Sequence, residues 1–318
     1  MILLKKILGT AFSFIGTVIG AGMMTGAEIM QYFGSGILSL FAIVFSCALM
    51  SLFIYFFSNF CTKRDINSVE EFGACLFGKY NRIFTAFISF GIVTCSGGML
   101  SGTGELFFDL FGIRPIILSL SIALIGGILS YKGIKWINSL NFVAIPFILL
   151  FIIIVFLFID KNINNCLIAP AYGSIVFSLY NIAFALPLCC SVEKLCGSDL
   201  CKALVFFGVI TALGMFAISL IITNSTAGSS LPLFDVVKNS STAAAIIYAA
   251  VLFLASGTTY VTAMLAFRKN KSTMILASLS ALLISLFEIK NIVKYIYPIT
   301  GLLCIICLIR IFIVKVKL

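Results

Sequence analysis

The side chains able to do chemistry in this sequence are few, and they sit in unusual company. Glu28 lies in "GTVIGAGMMTGAEIM" (16–30), an apolar run that also carries Gly16, Gly20, Gly22 and Gly26. Each glycine costs a helix about 1 kcal/mol relative to alanine. A carboxylate at membrane depth costs about 2.5–3.5 kcal/mol on insertion scales. Two readings of the glycines stand. Gly16/Gly20 and Gly22/Gly26 are each four apart, which suits close helix packing. Alternatively the helix breaks at Gly20-Ala21-Gly22, which frees carbonyls for a cation and amides for a carboxylate. Glu28 has three readings: a buried proton acceptor, an anchor for a substrate amine or cation, or a packing residue near the outer surface.

Three further groups share this character. In "AYGSIVFSLYNIAFALPL", Ser174, Ser178, Asn181 and Ala185 form one small, polar helical stripe next to Tyr180, and Pro187 removes a backbone donor six residues on. Gly98, Gly102, Glu105 and Asp109 share one helical face that lacks bulk and then turns acidic. There the acidic end suits a solvated vestibule, a pairing with Arg114 or a buried role. Ser256, Thr258, Thr259 and Thr262 put hydroxyls within two turns. These either bond their own backbone or, as adjacent Thr258 and Thr259, offer oxygen ligands to a hard monovalent cation. The sequence has no histidine, no HExxH and no paired aspartates or nucleophile–base arrangement on facing spans, so an enzyme is not expected. Cys189, Cys190, Cys196 and Cys201 fit no common zinc spacing and read as packing residues, so neither a metal nor another cofactor is expected beyond a coupling ion.

The elements that hold these residues must be membrane helices. Of the 318 residues, 62% are hydrophobic and 10% charged, and mean hydropathy is +1.21. A soluble domain carries about 25% charged residues. Ten segments are long and apolar enough to cross a bilayer: 7–33, 37–60, 83–108, 115–131, 136–159, 170–190, 203–223, 242–266, 273–288 and 292–314. The chain is thus expected to be an all-α integral membrane protein, one transmembrane domain over 1–318. Lys5 and Lys6 precede an apolar run too long for a signal peptide, so none is expected.

The formal charge of +10 reads as topology, not nucleic-acid binding. With the N-terminus inside, Lys5, Lys6, Lys63, Arg64, Lys79, Arg82, Lys132, Lys135, Lys194, Lys202, Arg268, Lys269, Lys271, Lys315 and Lys317 are internal. Only Arg114, Lys161, Lys238, Lys290 and Lys294 are external, leaving aside Arg310 within the last span. Both termini are therefore expected in the cytoplasm, with the protein in the cytoplasmic membrane. Ser68-x-x-Glu71 is a capping box, and Val69, Phe72 and Leu76 follow at helical spacing, which predicts a short helix along the inner surface. The outer "TNSTAGSSLPLFDVVKNSS" is expected to be a solvated lid or linker. Five spans on each side permit an inverted repeat, about 7–159 and 170–314.

"GTVIGAGMMTGAEIMQYFG" resembles the first helix of YkvI-type membrane proteins, which read approximately I-G-x-G-F-x-S-G-x-E there. "SGGMLSGTGELF" and the "YN" of the sixth span are similar to that group too. More distantly, I-G-A-G is similar to the amino acid–polyamine–organocation superfamily, whose members share the LeuT fold. The chain departs from many members in having ten helices and in Met23-Met24. The resemblance implies a 5+5 inverted repeat with helices 1 and 6 unwound around a small-molecule site. It places the breaks at Gly20, Ala21 and Gly22 and near Tyr180 and Asn181. It also implies a sodium site between the Ile19 and Gly20 backbone and the hydroxyls of Thr258 and Thr259.

Together these readings predict a secondary transporter, driven by Na⁺ or H⁺, for a small organic solute such as an amino acid or related amine. Gly20, Ala21, Gly22, Glu28, Gly98, Gly102, Tyr180 and Asn181 would bind the solute. Beyond that solute and membrane lipid, no partner is indicated. The alternative is a nutrient receptor subunit on the same scaffold, of the spore-germination kind.

Overall fold

The computed structural model describes residues 2–132, 134–160, 166–169, 172–191, 195, 197–226, 228–268 and 270–316. Lys161, Lys194, Lys269, Lys317 and Cys196 of the readings above lie outside the described residues.

The first span is in three pieces: α1 (Ile2–Val18), α2 (Ala21–Met24) and α3 (Ala27–Tyr32). α4 (Ser39–Lys63) is the second span, and α5 (Val69–Phe77) follows it. Ser68 accepts from the Glu71 amide while Glu71 accepts from the Asn67 amide, one residue from the reciprocal pattern the sequence predicts. Val69, Phe72 and Leu76 are the buried face of α5. The third to fifth spans are α6 (Asn81–Phe111), α7 (Pro115–Tyr131) and α8 (Ile134–Phe158). The second half runs through α9 (Gly173–Ser191), α10 (Gly197–Ile221), α11 (Pro232–Ser240), α12 (Thr242–Met264) and α13 (Lys271–Ile284). The last span is α14 (Ile289–Asn291), a π segment (Ile292–Ile296) and α15 (Tyr297–Val316).

Seven of the described helices are long and apolar enough to cross a membrane, and α7 and α13 are shorter apolar helices. With the interrupted first span, each of the ten predicted segments coincides with helix. The sixth span is central: 89% of its residues are buried, against 33% for α4, which turns apolar side chains such as Phe41 outward. A two-residue antiparallel ribbon, Gly34–Ser35 with Leu167–Ile168, ties the end of the first span to the approach to α9.

Two expectations are corrected here. The sixth span is not broken near Tyr180 and Asn181, since α9 is continuous through both and Pro187 lies inside it. Its polar stripe bonds its own helix and one neighbour: Ser178 Oγ lies 2.7 Å from Ser174 O and 2.8 Å from Ser46 Oγ on α4, and Asn181 Nδ2 donates to Phe177 O at 3.0 Å. The outer loop between spans seven and eight is also not all solvated. It folds into α11, which Pro232 opens at the first turn, and it buries Leu233, Phe234, Val236 and Val237.

Candidate functional site

The break in the first span follows from its glycines. The Gly20 amide turns back to Val18 O at 2.9 Å, and its φ/ψ of −102°/−169° is extended. The Gly16 carbonyl, which a continuous helix would bond to Gly20, is thereby released, and so is the Ala21 amide. A second break follows at Thr25–Gly26, where Gly26 has φ +81°, a left-handed conformation that costs other residues about 1–2 kcal/mol. The glycine stretch therefore makes two joints around one turn of helix, not a single gap at Gly20-Ala21-Gly22.

Each freed group has an identifiable neighbour. The Ala21 amide donates to the thioether Sδ of Met99 at 3.0 Å, and Met99 occupies the space a side chain at Gly20 would need. Sulfur is a weak acceptor, so this amide is held less firmly than in a helix. Tyr248 on α12 donates its hydroxyl to Met24 O, and the Leu233 amide of α11 donates to Thr25 O at 2.9 Å. The outer helix is thus fastened directly to the second joint.

Glu28, on α3, is buried. Its carboxyl folds back into the space that a side chain at Gly22 would fill. It stands beside the Tyr180 hydroxyl without closing a well-formed hydrogen bond, and that hydroxyl is buried and unpartnered. Around them lie Tyr32, Phe177 and Tyr297, with Tyr180–Tyr297 ring centroids 4.7 Å apart and Tyr32–Tyr180 5.8 Å apart. Tyr32 donates to Val293 O at 2.5 Å, within the π segment. π turns are common at functional sites because they offer irregular backbone. The Tyr297 hydroxyl, like that of Tyr180, has no partner. A carboxyl, two idle phenols and aromatic faces suit an ammonium group chemically.

A second cluster lies on the inner side of the first joint. Thr259 Oγ1 is 2.7 Å from Gly16 O, 2.8 Å from Ala255 O and 3.5 Å from Ile19 O. Thr258 Oγ1 is 3.0 Å from the same Ala255 carbonyl. A hydroxyl has one hydrogen to give, so three carbonyls round Thr259 are not all satisfied by it. These neutral oxygens are the hard ligands a cation such as Na⁺ takes, and their lack of charge suits a single positive charge. On the fifth span, the side chain of Asn141 lies against Gly16, fully buried, and neither of its polar atoms has a partner.

Several predicted residues therefore come together: Ile19, Gly20, Ala21, Gly22, Glu28, Tyr180 and Thr259 surround the first joint, whereas the Thr258 hydroxyl bonds Ala255 O within its own helix. Gly20 does so differently than expected, because its carbonyl accepts from the Met24 amide at 2.9 Å. The Gly16 carbonyl reaches Thr259 instead. Gly98 and Gly102 admit neighbouring helices: Tyr297 packs over Gly98, and Ile289 with Thr25 and Ala21 over Gly102. Asn181 is engaged within α9. Glu105 accepts from the Ile289 amide at 2.7 Å and Ser101 Oγ at 3.0 Å, capping the tenth span, whereas Asp109 is exposed. Met99, Tyr297 and Asn141 were not identified from sequence. Asn141 had one available signal, an amide inside an apolar span.

No family model matches the chain. It is 31% identical over 147 residues to "Uncharacterized membrane protein YkvI" of Bacillus subtilis. That match spans 46% of this chain and 42% of the relative, so less than half of the relative's length is covered. Among solved structures, a Na⁺-coupled sialic acid symporter aligns with a TM-score of 0.61 at 14% identity, over 90% of this chain and 72% of that one. MHP1, a nucleobase-cation-symport-1 family transporter, aligns at 0.59 and 18% identity, over 94% and 71%. The Eremococcus coleocola manganese transporter aligns at 0.63 and 16%, over 96% and 77%. These neighbours are transporters, and they carry unlike solutes on one scaffold. The chain is a helical membrane protein similar to YkvI in part of its length, and its fold is the LeuT-like transporter fold.

Proposed function

We propose that the protein is an ion-coupled secondary transporter of a small organic solute, an amino acid or related amine, working by alternating access. The observation that carries this reading is the crowding of Gly16, Ile19 and Ala255 carbonyl oxygens round the single hydroxyl of Thr259. A monovalent cation bound there, with Thr258 as a further ligand, would neutralise that crowding and hold α1 to α12. The solute would bind on the outer side of the same joint, its carboxylate taking the Ala21 amide from Met99 and its amine facing Glu28 and Tyr180. Because both ligands would meet at one joint, binding of each would favour the geometry that the other needs, which is thermodynamic coupling.

The remaining features take their place in this scheme. Spans one to five and six to ten would form the two repeats, about 7–159 and 170–314. The two joints let α2 and α3 pivot relative to α1, with α11 moving as their outer cover. No residues are assigned to bond-making chemistry, so the protein is read as a non-enzyme. It would lie in the cytoplasmic membrane with both termini inside.

The test is thermal unfolding of the purified protein with a panel of amino acids and amines, in Na⁺, in K⁺ and at two pH values. Solute stabilisation that Na⁺ strengthens, and that Thr259→Ala removes, is the expected result. Stabilisation indifferent to Na⁺ but dependent on pH and on Glu28 would transfer coupling to protons. If no solute stabilises the protein and proteoliposomes show no uptake, the transporter reading falls. Binding without uptake would instead favour the receptor reading.

A further inference from the structure

Asn141 is fully buried on α8, and neither its Oδ1 nor its Nδ2 has a hydrogen-bond partner. A buried polar group left without a partner is destabilising, and here both ends of the amide are idle. The helix is not short of polar neighbours in general, since one turn earlier Asn138 Oδ1 accepts from Ser13 Oγ at 2.7 Å. What distinguishes Asn141 is its position. A methyl group added to Gly16 would lie 3.1 Å from Oδ1 and 3.2 Å from Nδ2, so the amide is packed on the residue whose carbonyl faces Thr259.

We infer that Asn141 is a ligand of the cation site, contributing its amide oxygen to a hard monovalent cation held by Gly16 O, Ile19 O, Thr258 and Thr259. This rests on the cation site proposed above and extends it from the first and eighth spans to the fifth. An amide adds a ligand without adding charge, so the set remains matched to one positive charge. The bond would tie α8 to the joint in the first span, and the cation would draw together three helices. Gly16 is small for the same reason: a side chain there would occupy the amide's place.

The experiment uses the full-length purified protein, unfolded by heat while NaCl replaces choline chloride at constant ionic strength. Asn141→Leu, nearly isosteric, should raise the midpoint in choline because it removes an unsatisfied amide, yet should need at least about tenfold more Na⁺ for its half-maximal shift. Asn141→Asp, which retains Oδ1, should keep a Na⁺ response. If the leucine variant does not fold, Asn141→Ala is read in the same way. A leucine or alanine variant with the wild-type Na⁺ half-point, in a protein whose response Thr259→Ala abolishes, overturns the role of Asn141 and leaves the cation site standing. A wild type that ignores Na⁺ overturns both.

Discussion

At the scale of the residue, absent side chains matter as much as present ones. Gly22 leaves the room that the Glu28 carboxyl fills, and Gly20 the room that Met99 fills. Gly22→Ala must therefore expel Glu28 from its place. It is expected to destabilise the protein by about 1–3 kcal/mol, the usual cost of overpacking, and to abolish amine-dependent stabilisation. Glu28→Gln keeps the shape and removes the charge, so it should leave the thermal midpoint in choline close to wild type while weakening cationic amines specifically. If both variants bind amines normally, Glu28 is a packing residue. The pair separates shape from charge, which neither variant does alone.

At the scale of the element, the first span works because it is a poor helix. Its two joints differ in kind. Gly20 is extended and could in principle be another residue were Met99 not there, whereas Gly26 sits at φ +81° with Leu233 of α11 against it. Gly26→Ala should cost about 1–2 kcal/mol for its backbone conformation alone. Crowding Leu233, whose amide holds Thr25 O, should loosen α11 as well. Hydrogen exchange is expected to accelerate in 232–240 of this variant and to remain unchanged in α8. Equal protection of 232–240 in both proteins would show that the outer helix is not fastened through this joint. The sixth span makes the contrast. Asn181, Ser178 and Pro187 look as disruptive on paper as the glycines do, yet Asn181 bonds the preceding turn, Ser178 meets both that turn and Ser46 of α4, and the helix stays whole.

At the scale of the whole molecule, the distribution of basic residues predicts an orientation across the bilayer with both termini inside. With Cys201, on the side expected to face the cytoplasm, and Cys166, on the opposite side, both replaced by serine, Lys238→Cys should react with a membrane-impermeant maleimide in intact cells. Lys202→Cys should react only after permeabilisation, and the reverse pattern would invert the topology. Much of the helical architecture was legible from the sequence. Ten apolar segments and the short surface helix at Ser68–Leu76 are consequences of local composition and periodicity, which membrane insertion reads segment by segment. The first-span break was legible too, because four glycines act on their own backbone. The partners at that break were not. That Thr259 gathers Gly16 and Ile19 oxygens, that Met99 covers Ala21, and that Asn141 is left unpaired on Gly16 all depend on helices far apart in sequence meeting at one depth and rotation. Sequence periodicity sets which face of a helix is apolar or polar. Which residue of another helix meets that face is decided only by packing, and here packing turned a weak helix into a place where ligands can bind.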